Sequence, residues 1–398
     1  MNLLYLSYWG INDGLTHSTI FPHLKILNDF ENIASITFCT IERGGKKVDY
    51  AGPRSDKIHF HPLYSKNIKP AILNKILDFI DMPNTLADIC RHQKTDKILA
   101  RCAPAGALAW KVFEKTQIPF VVESFEPHSD YMLESGVWSS TNPKYLFEKH
   151  WEKKQKETAS ALITVSHNYK HQLLKEGVAP EKVFTIPCCV DMNRFNFSST
   201  ARTAMRSRLG IADNMKAAVY VGKFGDIYYK EEAFAIIKSA FDFFGASFFM
   251  IILSPQNKQE ILDALEKSGV PISRVFVDCV PHPEIPNYLS ASDFAISFVK
   301  PANCRKFCSP IKDGEYWAVG LPIFMTEDIG DDSDIVKANE ISGYIFNPDF
   351  SDLNKGFAHM QKIISSDSHA ETINKNRAIA AEYRNFSIAD QMYKTILG

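Results

Sequence analysis

The sequence contains no run of about 18 apolar residues, the length a helix needs to cross a bilayer. It also has no internal repeat and no low-complexity segment. Charge of either sign is not in excess: 45 Lys and Arg stand against 46 Asp and Glu, a net −1 at pH 7. Such a chain has no global field to draw in nucleic acid, so that partner is excluded and any anion site must be local. The eight cysteines are scattered without disulfide-like spacing. Cys188 and Cys189 are adjacent, and Cys304 and Cys308 have no His or Cys close by, so neither pair reads as a zinc site. The N-terminus carries no signal-peptide pattern. These absences point to a cytoplasmic protein without a metal.

At 398 residues, with 45% hydrophobic and 23% charged content, the chain is expected to form two soluble domains of about 150–200 residues each. Short apolar runs alternate with helical patterns. Runs at 2–8, 34–42, 57–61, 96–101, 118–123, 161–165 and 183–187 read as the strands of a first α/β domain. After the linker 196–200, a second set follows at 217–224, 248–254, 275–278, 293–299 and 321–325. The segment 66–80 has apolar residues on one broad face and Lys66, Lys69 and Lys75 among its polar positions. It reads either as a helix packed on the core or as one resting on an anionic membrane. The helix 143–158 is rich in both charge signs and reads as a solvated face.

One stretch concentrates chemistry. Between two strand-like runs lies Ser309-Pro-Ile-Lys-Asp-Gly-Glu-Tyr-Trp-Ala-Val-Gly-Leu-Pro322. Ser309 is a suitable N-cap, Pro310 suits the first helical position, and Gly320 with Pro322 stops the helix. A helix start offers free N–H groups and a positive dipole end, and Lys312 adds a full charge where the dipole alone would disfavour it. That placement makes sense if an anion binds there. Glu315, one turn on, is suited to accept hydrogen bonds from a ribose diol. The alternative is a surface helix with a solvated Lys and Glu. Elsewhere, Gly14 in the turn after the first strand permits close backbone approach, and His17 in the same turn is a ligand contact or a plain surface histidine. Arg101 ends a strand on the side where such sheets bind ligands. Glu123, Glu126, His128 and Asp130 crowd a single loop, which folding alone explains poorly.

The motif Ser309-Pro-Ile-Lys-x-x-Glu-Tyr-x-Ala-x-Gly-Leu-Pro322 resembles the donor-site signature of retaining family-4 glycosyltransferases of the GT-B fold. It is most similar to the subgroup with Ser-Pro-x-Lys-x-x-Glu-Tyr-Leu-Ala. Further ordered motifs extend the resemblance over nearly the whole chain. Asp13-Gly-Leu-Thr-His-Ser is similar to the subgroup's first loop. Ser166-x6-Leu-x3-Gly177, then Lys182-Val-x-x-Ile-Pro-x-x-Val-Asp-x-x-x-Phe195, resembles the exit from the family's first domain, and Asp328-Ile-Gly-Asp331 its Gly-Ile-Gly-Asp turn. Two positions depart from the pattern. Phe307 stands where the first Glu of a Glu-x7-Glu motif would fall, and Cys188-Cys189 replace an Asn-Gly.

The resemblance implies two Rossmann-like, doubly wound domains facing a cleft. The first, acceptor-side domain would span 1–198 and be completed by a helix at 385–398. The second, at 199–384, would bind the nucleotide-sugar. Gly222, Lys223 and Lys230 match the family's diphosphate grip, joined by Ser309, Pro310, Ile311 and Lys312, with Glu315 on the ribose. Gly14 lies at the donor phosphates, and His17, Arg101, Glu123 and Asp130 face the acceptor. His128 matches the family's cleft histidine, and His128, Lys230 and Lys312 are the implied catalytic residues. The implied function is retaining, metal-independent transfer from a UDP- or GDP-sugar to a glycan or lipid-linked glycan by front-face displacement. No cofactor beyond that donor is implied, and peripheral contact with the inner membrane face is compatible with it. Two alternatives stay open: a sugar-nucleotide epimerase or hydrolase of the same fold, and a non-catalytic sugar-nucleotide-binding scaffold. The Asp332-Ser-Asp334 triplet reads as a helix N-cap cluster rather than a metal site.

Overall fold

A computed structural model describes residues 1–398 except 67, 70 and 366–368, and leaves the side chains of 71 and 72 undescribed. Its strands form two sheets, of seven and six strands, paired in parallel throughout. The chain divides into two units, Met1–Pro187 with Ser387–Gly398, and Cys188–Phe386.

The first sheet comprises β1 (Asn2–Ser7), β2 (Ser35–Glu42), β3 (Ile58–Tyr64), β4 (Lys97–Arg101), β5 (Phe120–Phe125), β6 (Ala161–Thr164) and β7 (Val183–Thr185). Their order is β3-β2-β1-β4-β5-β6-β7. Direction of winding reverses at β1, which pairs with both β2 and β4, and Ser7 lies beside Arg101 at that switch. The second unit repeats the plan with β8 (Lys216–Val221), β9 (Phe248–Leu253), β10 (Val275–Asp278), β11 (Phe294–Ile296), β12 (Ile323–Thr326) and β13 (Gly343–Phe346), ordered β10-β9-β8-β11-β12-β13. Its switch lies between β8 and β11. Crevices at such switch points are where open α/β sheets place ligands.

Strands this apolar need cover on both faces. In the second sheet Ala217, Val219, Phe249, Ile251, Ala295 and Ile323 face one helical layer, with Leu289 and Trp317. Ala218, Tyr220, Met250, Ile252, Phe294 and Phe324 face the other, with Ile236, Ile237 and Phe357. The alternation is the period of two of a strand, expressed between two apolar layers.

Three local expectations need correction. The segment predicted as a helix over 66–80 is helical over Ala71–His92, running through Pro83; its Asn67 and Pro70 lie outside the described residues. The far half buries Met82, Leu86, Ala87 and Cys90, whereas Leu73, Ile76 and Ile80 remain 43, 50 and 57% exposed, so core packing does not account for them. The charged helix Pro143–Thr158 is not merely solvated. Glu152 is buried and accepts from the Ser129 N–H (2.7 Å) and hydroxyl (2.6 Å). Asp332 does not cap its helix: its carboxylate turns inward to the buried Arg384 guanidinium.

Candidate functional site

The helix Ile311–Val319 starts immediately after Pro310 and ends at Gly320, whose φ of 95° is a left-handed stop. Ser309 is therefore not the N-cap. Pro310 takes that position, with no side-chain cap on the first N–H groups. The Ser309 hydroxyl instead accepts from the Cys188 N–H at 3.0 Å and from Arg384. Arg384 also reaches the Cys188 carbonyl at 3.2 Å and Asp332, so one guanidinium ties the helix entrance to two other segments of this unit. Gly314 makes this possible, because a Cβ there would lie only 3.2 Å from Arg384 Cγ. The Val221 N–H donates to the Tyr316 hydroxyl at 2.9 Å, fixing the end of β8 to the same helix.

Lys312 is the focus of this arrangement. Its Nζ lies 4.2 Å from the ring centroid of Tyr228 and 5.5 Å from that of Tyr220. Among the described residues no carboxylate pairs with it. Burial pushes the amine down to about 8, with the charges of Asp313 and Glu315 opposing that shift. Gly222 (φ 150°) passes so close that a Cβ would collide with this amine. The loop 222–230 is held in place by the Phe224 N–H to Gln256 Oε1 (2.7 Å) and the Tyr229 N–H to the Phe298 carbonyl (2.8 Å). Lys223 and Lys230 are exposed on that loop, and Lys230 lies 3.4 Å from Glu231. An exposed pair of that kind contributes little and is readily exchanged for a better anion.

Glu315 is 4% exposed, and its Oε1 lies 2.9 Å from His282 Nε2. Sequence reasoning missed His282, which lies 33 residues earlier, and the tyrosines around Lys312. It also missed Asp313, where burial, with the Asp332 charge adding to it, raises the carboxyl to about 8 against the opposing Arg384.

In the first unit, Arg101 and Glu123 are neighbours in the β4–β5 register, 2.9 Å apart, and 5% and 1% exposed. Glu123 also accepts from the Tyr5 hydroxyl at 2.5 Å and from Tyr393, and it meets His23 Nδ1 at 3.0 Å. Burial alone would raise this carboxyl, but Arg101, His23 and the hydrogen bonds hold it well below the usual range. Arg101 and Glu123, expected to face an acceptor, are buried together in an ion cluster that engages the C-terminal helix Phe386–Leu397 through Tyr393. Asp130 forms a partly exposed ion pair with Lys149 (2.6 Å). His128 opens the helix His128–Glu134, half-buried with its ring 5.9 Å from that of Trp138, and burial lowers its pKa. Gly14 and His17 are exposed, but the turn expected there is helical: Gly14 lies at its start and His17 in the wide π-type turn Thr16–Ile20. Glu148 was hidden among the charges of its helix, yet burial and then the Glu152 charge raise it to about 7.

Residues 41–194 match Glycosyltransferase Family 4. No curated protein matches the sequence. Among solved structures, HepE of Anabaena in complex with UDP is 16% identical, with each chain fully covered and a TM-score of 0.71. Sucrose-phosphate synthase of Thermosynechococcus elongatus is 16% identical over 99% of this chain and 98% of that one, with a TM-score of 0.75. WaaG, a glycosyltransferase involved in lipopolysaccharide biosynthesis, is 14% identical over both full chains, with a TM-score of 0.67. At such identities the likeness carries the fold, which is two Rossmann-like domains of the GT-B type. With the family match, it supports a glycosyltransferase. Among the described residues no helix is long and apolar enough to cross a membrane.

Proposed function

We propose that this glycosyltransferase is a retaining enzyme that moves a sugar from a nucleotide-diphosphate sugar, UDP-linked in the first instance, to a glycan or lipid-linked glycan. The observation that carries the proposal is Lys312, an amine held between two tyrosine rings, beside Gly222 and without a counter-ion among the described residues. A desolvated cation with no partner is stabilised by an arriving anion.

Within the second unit, 188–386, Lys312, Lys223, Lys230 and the uncapped N–H groups of Ile311 and Lys312 hold the diphosphate. Gly222 leaves room for it, Ser309 and Pro310 set the helix entrance, and Glu315 receives the ribose. The acceptor is assigned to the first unit, where His17, His128 and Glu148 remain available, and Gly14 keeps its place on the side of the donor phosphates. In the proposed step the bond from the anomeric carbon to the diphosphate oxygen breaks. The acceptor oxygen bonds to that carbon on the same face, and its proton passes to the leaving phosphate. The lysines stabilise the charge developing there, which is the role a metal plays elsewhere.

Calorimetric titration with UDP, GDP, ADP and CMP tests this reading. Micromolar binding of one nucleotide, lost in Lys312→Ala and in Glu315→Ala, is the expected result; binding of none overturns it. UDP release from a UDP-sugar that requires a glycan acceptor separates transfer from hydrolysis or epimerisation.

Peripheral membrane contact belongs to the same proposal. Of the exposed large apolar side chains, Ile68, Leu73, Ile76, Ile80, Leu146 and Phe147 cluster on two segments joined by the Phe79–Phe147 ring contact at 4.9 Å. Lys69, Lys75 and Lys144 are exposed on these segments and make no ion pair among the described residues. Apolar residues bordered by exposed lysines suit an anionic lipid surface.

A further inference from the structure

We propose that His282 is the positioning residue for Glu315, and that Arg194 fixes the ring's working tautomer. This inference rests on Glu315 being the receptor for the nucleotide's ribose.

The three side chains form one line. Arg194 Nη2 lies 2.7 Å from His282 Nδ1, and His282 Nε2 lies 2.9 Å from Glu315 Oε1. A guanidinium only donates hydrogen bonds, so Nδ1 is the acceptor. The ring proton then stands on Nε2 and points at the carboxylate, as it does where a second partner fixes the tautomer of a working histidine. The Phe195 ring, 5.5 Å from the imidazole, limits its rotation from the side. The chain elements differ in stiffness in a useful way. Glu315 is buried on a nine-residue helix, whereas His282 begins a short 3-10 turn and its side chain is 42% exposed.

The consequence lies in the other oxygen. Glu315 Oε1 is engaged by His282, and Oε2 has no hydrogen-bond partner among the described residues. A nearly buried carboxylate with one oxygen clamped and one open presents a fixed acceptor in a fixed direction. It suits a hydroxyl donor and is unsuited to the phosphates, which it would repel. His282 therefore sets the orientation in which Glu315 distinguishes a ribose hydroxyl from its absence. It does not touch the reacting atoms.

The test compares UDP with 2′-deoxy-UDP and 3′-deoxy-UDP on the full chain. Loss of a hydrogen bond to a charged group is expected to weaken binding about 10- to 100-fold for at least one deoxy analogue in the unaltered protein. In Glu315→Gln this preference falls, which reports the ribose reading alone. In His282→Ala the preference collapses to within about threefold of the Glu315→Gln value, while affinity for the deoxy analogue itself is retained. His282→Gln, which keeps an N–H at the same reach, restores most of it, and Arg194→Ala gives an intermediate loss. A His282→Ala protein that keeps the full ribose preference while Glu315→Gln loses it overturns the role of His282 and leaves the ribose reading standing. Equal binding of UDP and both deoxy analogues by the unaltered protein overturns both. A merely structural role for His282 would lower all three affinities together, and that result also overturns the proposal.

Discussion

The Lys312 amine lies 4.2 Å from the centre of the Tyr228 ring, and no carboxylate of the described residues comes within ion-pairing distance of it. A cation over an aromatic face recovers about 0.5–2 kcal/mol, well short of what full hydration supplies. The amine's own surroundings thus leave it undercompensated, as the proposed diphosphate role requires.

Replacing Lys312 or Lys230 by Ala is expected to lower turnover by about 10²–10³ each, the usual cost of losing one charge contact to a developing oxyanion. Acceptor-dependent UDP release measures it. Activity within about tenfold of the unaltered protein in both variants would count against the diphosphate assignment.

Nucleotide affinity should fall as pH rises through about 8. The free amine is held below its ordinary value by burial, so it loses its proton near that pH, and the diphosphate binds the protonated form. Affinity is complete below this point and declines above it by up to about tenfold per pH unit. Calorimetry at stepped pH checks it, and in Lys312→Ala the slope should vanish.

Asp313 makes stability, rather than affinity, depend on pH. Its folded pKa of about 8 lies above the ordinary 3.8, because burial and the Asp332 charge outweigh Arg384. Between these values the folded chain holds a proton that the unfolded chain releases, so this group lowers stability progressively as pH rises through that window. Asp313→Asn should therefore gain in Tm relative to the unaltered protein from acid to pH 8, with no further gain beyond. A constant difference across that range would show that Asp313 does not hold the proton.

Glu123→Ala should destabilise the first unit by about 3–5 kcal/mol, because it removes the buried carboxylate on which Arg101, His23, Tyr5 and Tyr393 converge. Thermal unfolding followed by tryptophan fluorescence reports it. Tyr393→Phe, which removes only a hydroxyl, should cost less and loosen the C-terminal helix, seen as faster amide exchange over 386–397. Nucleotide binding in the second unit should be unchanged in Tyr393→Phe.

Membrane contact predicts that the protein sediments with vesicles containing phosphatidylglycerol and not with purely zwitterionic ones. The double variant Ile76→Asp, Ile80→Asp should abolish this while keeping UDP affinity, since both side chains are exposed in the free protein. Sedimentation unaffected by the double variant would remove this face from consideration.

Much of the proposed donor side was legible because its residues are local in sequence. The run from Ser309 to Pro322 carries its own helix stop and places Lys312 and Glu315 one turn apart. The parallel strands announced themselves as apolar runs such as Phe248–Leu253, buried on both faces. Helix starts were less legible: Ser309 has the right chemistry for a cap, but tertiary partners, Cys188 and Arg384, claim its hydroxyl.

The partners of the first unit's charges were not legible, for the same reason. Arg101, Glu123 and Asp130 are the residue types that line clefts, and sequence cannot tell a cleft carboxylate from a buried one. Glu123 is sealed by Tyr393, 270 residues away, and Asp130 is taken by Lys149. By itself the sequence determined the alternation of strand and helix and the helix that carries Lys312 and Glu315 one turn apart, because periodicity and local spacing encode them. Only tertiary structure decided which charges are spent on folding and which stay open. That depends on burial and on partners brought from distant segments, as Arg194 and His282 are brought to Glu315.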